Sequence, residues 1–397
     1  HLLYSVYRNA FEFLITEDRK IHRKSKSFGI SDRVFDVDEA VEYLRSFVLD
    51  EDLTLPFEVK CVPIANLNYE DPILDTLKRD YNGFGNWWEK ISRDGRRAWV
   101  YERDGSLGAI LILKVEEEAI DSQPPLPKTK RLKICTFKVS ETGKKIGELF
   151  IRLSVEFAVK NNIDELYLTH FTEENDFLVP LIEEFGFCRK AQIGEEDIFC
   201  KRLSPESRDA DPLKISARYY PCFYDGEYAG KFIIPIRPEY HKKLFIDNNP
   251  RQLVLEGLSN GIATEGNTIK KAYLCHSRIG GINSGDVVLF YRSQDVRAVT
   301  AIGVVEAVHE NSQDVNEIIR RIGKRSVYTH GEIQEMAARP VKVIIFRHHF
   351  LLDPVSFTAL QKNGILRGAP QSIQKVSHEH YLRIKELGGI DERFTVD

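Results

Sequence analysis

Apolar and polar positions alternate with two different periods along the middle of the chain. Runs with a two-residue period and many β-branched or aromatic residues predict strands, whereas apolar residues three and four apart predict helices. The predicted order is a strand at 57–64, two short helices within 71–93, a hairpin at 97–115, a loop at 121–130, a strand at Leu132–Val139, a helix at Lys144–Lys160, a strand at Glu165–His170, a helix at Asp176–Phe185 and a hairpin ending at Arg202. This alternation indicates an α/β unit at 53–204.

The two flanking segments have different patterns. Residues 1–52 contain a short apolar strand between helical stretches, and residues 213–397 consist mainly of β-rich runs separated by glycine turns. The polar linker "SPESRDADP" (204–212) separates the last two units. We therefore expect three units, at 1–52, 53–204 and 213–397. The predicted fold class is α/β (α+β), with a mixed sheet and helices followed by a small β-barrel with appended helices.

Composition excludes several classes of protein. The chain of 397 residues has 42% hydrophobic and 29% charged residues, which is typical of globular units, and it contains no long uncharged apolar run that would span a membrane. Its six cysteines include no C-x-x-C pair, which disfavours a zinc ribbon and favours reduced thiols in a cytoplasmic compartment. The net charge of −4 is unevenly divided, because residues 213–397 carry more basic than acidic side chains.

The stretch "VSETGKKIGELFIRL" (139–153) carries the main chemical signal. A strand that runs through a glycine turn into a helix brings several free backbone N–H groups together, and these favour a phosphate or pyrophosphate. Gly143 can adopt a positive φ, and Lys144 and Lys145 add positive charge. The alternative is an ordinary helix start capped by Ser140 or Thr142.

The order of elements at 53–204 resembles the GNAT family of acyl-CoA N-acyltransferases, with "TGKKIG" (142–147) and "NDFLVPLIEEFGF" (175–187) as the best local matches. The resemblance implies that acetyl-CoA is the cofactor. It also implies a set of cofactor-binding residues on the strand, the turn and the next loop: Phe137, Val139, Thr142, Gly143, Lys144, Lys145, Ile146, Gly147 and Asn175. Thr142 and Lys145 depart from the family's [Q/R]-x-x-G-x-[G/A] pattern, and Ile182 replaces the tyrosine that often serves as the acid.

Chemistry of this family needs a base for the amine and often an acid for the leaving thiolate. The candidates here are Glu141 as a base and Tyr167 or His170 as an acid, with Glu173 as a further base. Each has a simpler interpretation, as a solvated loop acid or a hydrogen-bonded residue at a strand end. The resemblance also leaves open a non-catalytic scaffold that has lost turnover.

The two ends resemble other families. "AFEFLITEDRKIHRKSKSFGI" (10–30) resembles the closing part of a PIN nuclease domain, with Asp18 as its acidic residue, and we expect the remaining metal-binding acids to lie before His1. A simple strand-to-helix turn is the alternative. The third segment, with "KKAYLCHSRIGGINSGDVVLFYRS" (270–293), resembles PUA-like domains of the ASCH and EVE type, which implies RNA binding. The implied contacts are Lys270, Lys271, His276, Arg278, Tyr291 and Arg292.

Together these features predict an acyl-CoA-dependent N-acyltransferase that acts on a small-molecule or macromolecular amine, with RNA as a partner or as the carrier of the substrate. The alternative is a non-catalytic, RNA-binding regulator with a degenerate GNAT scaffold, and a third interpretation is an interaction module with neither activity. No metal site is expected in this chain, because the histidines in "RHHF" (347–350) and "HEH" (378–380) have spacings that point them apart.

Overall fold

The structure is a computed structural model that describes residues 1–48, 58–140, 145–173, 176–205, 211–245, 262–263, 268–325 and 327–397. Within these ranges it has the predicted fold class, an α/β unit with a mixed sheet followed by a β-rich unit with helices. In the described part of the chain, no helix is both long enough and apolar enough to cross a membrane.

The first unit is a small βαβ arrangement. Its helices are α1 (Leu2–Tyr7), α2 (Arg19–Ser27) and α3 (Val37–Val48), and its strands are β1 (Leu14–Ile15) and β2 (Val34–Phe35), which pair in parallel. The Asp18 side chain accepts hydrogen bonds from the N–H groups of Lys20 and Ile21. Asp18 is therefore the N-cap of α2 here, and its predicted origin in a PIN domain stays a prediction.

The second unit is built on one large sheet. Its strands are β3 (Glu58–Pro63), β4 (Arg97–Arg103), β5 (Ser106–Ile120), β6 (Leu126–Val139), β7 (Glu165–His170), β8 (Cys188–Ile193) and β9 (Glu196–Arg202), and its helices are α4 (Asp75–Asp80), α5 (Phe84–Arg93), α6 (Ile146–Lys160) and α7 (Leu178–Glu184). They follow the predicted order. The sheet order is β3-β4-β5-β6-β7-β9-β8, with only β6 and β7 parallel.

One prediction for this unit is wrong. Residues 126–130, expected in a loop, form the first part of β6 and pair with the end of β5. Lys130 lies opposite Glu117, and Arg131 lies opposite Glu116. The Lys130 ammonium donates to the carbonyl oxygen of Asn161, and Arg131 pairs with Glu165, so backbone pairing with β5, and not apolar alternation, defines this part of the strand.

The third unit begins with α8 (Pro212–Arg218) and α9 (Pro238–Leu244). Its main sheet has the order β13 (Lys270–Cys275), β16 (Val341–Ser356), β15 (Ala298–Ser312), β14 (Val287–Arg292), β11 (Lys231–Ile236), β17 (Gln374–Lys375). Its other helices are α10 (Val315–Ile322), α11 (His330–Ala337), α12 (Phe357–Lys362) and α13 (His378–Leu387). Three short strands among the described residues of this unit pair outside this sheet: β10 (Phe223–Tyr224) with β18 (Thr395–Val396), and β12 (Ile262–Ala263) with β3 of the second unit.

The second and third units share a continuous core. Tyr220, Ile269 and Phe394 of the third unit are buried in the same apolar cluster as the face of α6 that covers the large sheet. Glu148, in the first turn of α6, accepts hydrogen bonds from the N–H groups of Ile269 and Lys270 at 2.7 and 2.9 Å. The third unit is therefore fixed directly against the helix that follows β6.

Candidate functional site

Strands β6 and β7 pair at one end and separate at the other. Their parallel register covers only Arg131↔Glu165 to Lys133↔Tyr167, whereas β7 pairs with β9 along its full length. A bulge accompanies the separation, because Ile112 lies opposite Thr136 and Leu113 opposite Ile134, which leaves Cys135 between them. Beyond this bulge, the β6 backbone at 134–139 faces a gap in the sheet where a ligand can form hydrogen bonds. We call this region the open end.

Helix α6 begins directly beyond the open end. Its N-cap residue is Lys145, with a left-handed φ of 54°, and no side chain caps the helix among the described residues. The Ser140 hydroxyl instead donates to the carbonyl oxygen of Gly108 at 2.9 Å, so Ser140 does not cap α6. The first-turn N–H groups and the helix dipole thus point toward the end of β6. Glu141, Thr142, Gly143, Lys144 and Asn175 lie outside the described residues.

Several predicted cofactor residues use their side chains for packing. Phe137 packs edge-on against Phe150 at 5.6 Å between ring centroids, and Val139 and Ile146 join the same apolar cluster. A Cβ on Gly147 would lie 2.6 Å from Leu181, so this glycine allows α7 to approach α6. At these positions, only the backbone N–H and C=O groups are therefore available to a ligand. Their role in binding a cofactor stays a prediction.

Polar side chains gather on the face of the open end covered by α4. The Tyr81 hydroxyl donates to Glu196 at 2.5 Å, which connects the end of α4 to the start of β9. Thr169 of β7 also bonds Tyr81, and Lys138 of β6 donates to Thr76. Burial, together with Glu196, raises the pKa of Tyr81 well above its usual value, and burial lowers the pKa of Lys138. The site therefore holds a protonated phenol beside a carboxylate.

The opposite face carries His170 at the end of β7. Its Nε2 atom bonds the Asp176 carboxylate, whose other oxygen accepts from the N–H groups of Leu178 and Val179 at 2.7 and 3.1 Å. Burial would raise the pKa of Asp176, but the hydrogen bonds from His170 and the backbone outweigh it and hold this pKa below 3.8. Asp176 thus fixes the His170 ring while it caps α7.

Tyr167 lies at the paired end of the strands. Its side chain is 3% exposed, and its hydroxyl donates to Glu116. Burial and Glu116 both raise the pKa of Tyr167 well above its usual value. In this structure Tyr167 is separated from the Tyr81 cluster and takes part in holding β5, β6 and β7 together; its catalytic role stays a prediction.

The residues predicted to contact RNA are dispersed. Lys271 and Tyr291 are 2% and 1% exposed, and Tyr291 belongs to an apolar core cluster, so neither presents a surface to a nucleic acid in this structure. Lys270 pairs with Glu184 at 2.6 Å across the boundary between the units, and Arg292 pairs with Asp295. His276 bonds the carbonyl oxygen of Pro340 at 3.0 Å, and Arg278 is exposed. Their RNA-binding role stays a prediction.

Sequence reasoning missed Tyr81, Glu196 and Asp176. The first two are 115 residues apart, so only the folded sheet brings them together. Asp176 is different, since an Asp at the start of a predicted helix and six residues after His170 is a local signal that could have been found. In the described part of the chain, no three His, Cys, Asp or Glu side chains lie together as metal ligands.

Comparison with known proteins gives structural similarity only. No protein-family model matches the sequence, and no curated protein matches it. Similar solved structures include the ZmASCH Y47F mutant from Zymomonas mobilis, with 16% identity over 40% of this chain and 97% of that one and a TM-score of 0.31. PaiA N-acetyltransferase from Thermoplasma acidophilum in complex with coenzyme A has 16% identity over 34% and 80% of the two chains, with a TM-score of 0.25.

A GNAT family acetyltransferase from Elizabethkingia anophelis, with acetyl-CoA bound, has 10% identity over 37% and 99% of the two chains, with a TM-score of 0.26. Each of these matches covers less than half of this chain. At such identities the similarity concerns the fold of parts of the chain and extends to no particular side chain.

Proposed function

We propose that the second unit binds an acyl-CoA and transfers its acyl group to an amine at the open end of β6 and β7. The observation that carries the proposal is the separation of the two strands beyond Lys133 and Tyr167, directly before a helix that no described side chain caps. The unpaired β6 backbone fits an amide-bearing pantetheine arm, and the start of α6 with Lys145 fits a pyrophosphate. When bound, acyl-CoA supplies an activated thioester carbonyl.

Tyr81 and Glu196 would move the protons. Glu196 accepts a proton from the incoming amine as nitrogen bonds to the acyl carbon and the carbon–sulfur bond breaks. Tyr81, protonated because of its raised pKa, donates to the departing thiolate. The 2.5 Å hydrogen bond between the two then lets the proton on Glu196 return to Tyr81. If the acceptor enters as an ammonium ion, one proton must first leave to solvent, because the nitrogen needs its lone pair to attack; Glu196 then accepts the second.

The charge around Tyr81 favours a cationic acceptor. Asp80 and Glu173 both lie close enough to Lys138 to affect its pKa, and Glu196 adds a third carboxylate. Lys138 and Arg79 offset two of these three charges. The acceptor class that fits is a primary aliphatic amine, which arrives as an ammonium ion and is attracted by this net negative charge.

The test measures thiol release from acetyl-CoA with a panel of primary aliphatic amines. Glu196→Gln should lower kcat by about a hundredfold, since it removes a proton acceptor without changing shape. Glu195→Gln, an exposed neighbour in the same hairpin, serves as the matched control and should leave kcat unchanged. Equal rates for the two variants, or no thiol release from the unmodified protein with any amine, would overturn the assignment.

Delivery of an RNA-linked amine by the third unit is a separate proposal. It rests on the exposed Arg278 and the partly exposed His276 and Arg292, because Lys271 and Tyr291 are enclosed. Binding of a single-stranded RNA that weakens by about tenfold in Arg278→Gln would support it, given that one phosphate contact is removed.

A further inference from the structure

A cavity lies at the paired end of β6 and β7, away from the Tyr81 cluster (Tyr81, Lys138, Thr169 and Glu196). Its volume is about 460 Å³, within the range of small-molecule sites. It is bounded by the starts of β6 and β7, by β8 and β9, and by the end of α8. None of Tyr81, Lys138, Thr169 or Glu196 lines it, so its occupant would be distinct from the substrates proposed above.

The cavity has an excess of positive charge. Four cationic side chains line it against two carboxylates, Asp164 and Glu165. Arg131 is the buried member, with a side chain only 3% exposed. Its Nε bonds Glu165 and its Nη1 bonds the carbonyl oxygens of Pro127 and Glu118, which leaves Nη2 without a hydrogen bond in the described part of the chain. Arg131 thus adds a buried positive charge to the cavity wall.

The wall formed by α8 is held rigidly. Lys201, which is fully buried, donates from Nζ to the carbonyl oxygen of Arg218 at 3.0 Å. Gly186 has a φ of +89°, and a Cβ there would lie 1.9 Å from the same oxygen. Because glycine alone permits this approach, the end of α8 is fixed and the side chains of Arg218 and Tyr219 are placed at the cavity.

The charge and the aromatic surface of the cavity wall indicate which class of ligand it can bind. An excess of two positive charges matches a phosphate monoester, which carries close to two negative charges at neutral pH. Tyr219 supplies a flat aromatic surface, with the Arg218 guanidinium 5.5 Å from its ring centroid, and such a pair stacks on a planar ring. We propose that this cavity binds a nucleoside monophosphate, with the phosphate at the cationic side chains and the base against Tyr219.

Calorimetric titration of the full chain with adenosine monophosphate, adenosine and inorganic phosphate tests the proposal. The monophosphate should bind at least about tenfold tighter than either fragment, because only it uses both parts of the wall. Replacing the two exposed cations together, Lys190→Gln with Arg218→Gln, should weaken this binding by about tenfold. Lys160→Gln with Lys214→Gln, two exposed lysines outside the cavity, makes the same charge change and should leave it unchanged.

Three results would overturn the site. The first is no heat from the monophosphate at millimolar concentration. The second is equal affinity for the monophosphate and for adenosine or phosphate alone. The third is an equal loss in both double variants, which would indicate general charge attraction. Thermal unfolding of each variant shows whether the fold is intact, and Tyr219→Leu, which keeps the charge and removes the ring, separately tests the aromatic contact.

Discussion

The two ends of the β6–β7 pair use their polar groups in opposite ways. At the paired end, Arg131 and Glu165 form an ion pair and Tyr167 bonds Glu116, and these contacts join three strands. At the open end, no described strand pairs with the β6 backbone at 134–139 on the side of β7, and Tyr81 bonds Glu196 near the end of β7. The difference shows that side-chain contacts fasten the strands together at one end, whereas at the other end the strand backbone itself is left for a ligand.

Breaking the ion pair at the paired end should have the largest effect on stability. Glu165→Leu leaves the Arg131 guanidinium buried without its carboxylate and should lower the free energy of unfolding by about 3 kcal/mol. Urea unfolding followed by tryptophan fluorescence measures this, because Trp87, Trp88 and Trp99, the three tryptophans of the chain, all lie in the second unit. CoA binding to the folded variant should be unchanged, since the ligand is assigned to the other end.

The double variant Arg131→Leu/Glu165→Leu is the control for this prediction. It removes both charges and should recover most of the lost stability, because no buried charge is left unpaired. A double variant as unstable as the single one would show that the ion pair is not what holds the strands together.

A smaller effect on stability is expected at the open end, where Asp176 caps α7. Asp176→Ala removes the cap of α7 and should lower the free energy of unfolding by about 1 kcal/mol at neutral pH. Because folding lowers the pKa of Asp176, its contribution is present above the ordinary value of 3.8 and is lost as the pH falls through the lower native pKa. The difference between the unmodified protein and the variant should therefore shrink in acid.

Urea unfolding at a series of pH values checks this prediction. Glu183→Ala, at an exposed position on the same helix, is the control and should show little loss at neutral pH. A difference for Asp176→Ala that stays constant below pH 3.8 would contradict the assigned role of its carboxylate.

Local patterns in the sequence predict most of the elements, and contacts between distant residues account for what they miss. The strand at Glu165–His170 follows from its apolar alternation and is confirmed with the same bounds. The start of β6 is not predictable in this way, because residues 126–130 lack apolar alternation and become a strand through their pairing with the end of β5. Likewise Lys271 lies in a basic strand whose sequence predicts exposure, but in the folded chain it is only 2% exposed.

The residues of the candidate site divide in the same way, into those with a local sequence signal and those that only the fold brings together. The resemblance to the GNAT family implies His170 as a candidate acid, because its strand lies against the cofactor in that fold, and its partner Asp176 lies only six residues away. Tyr81 and Glu196 belong to a helix end and a hairpin with no distinctive motif of their own. Their pairing depends on the path of β7 and β9 beneath α4, which is a property of the sheet topology and not of either local sequence.

Amide hydrogen exchange along β6, with and without saturating CoA, tests the central claim most directly. Residues 134–139 and the first turn of α6 should exchange more slowly with CoA bound, because the ligand supplies the missing hydrogen-bond partners. Residues 126–133, at the paired end of the same strand, should not change. Protection confined to 126–133, or no change anywhere along β6 at millimolar CoA, would contradict the assignment of the open end as an acyl-CoA site.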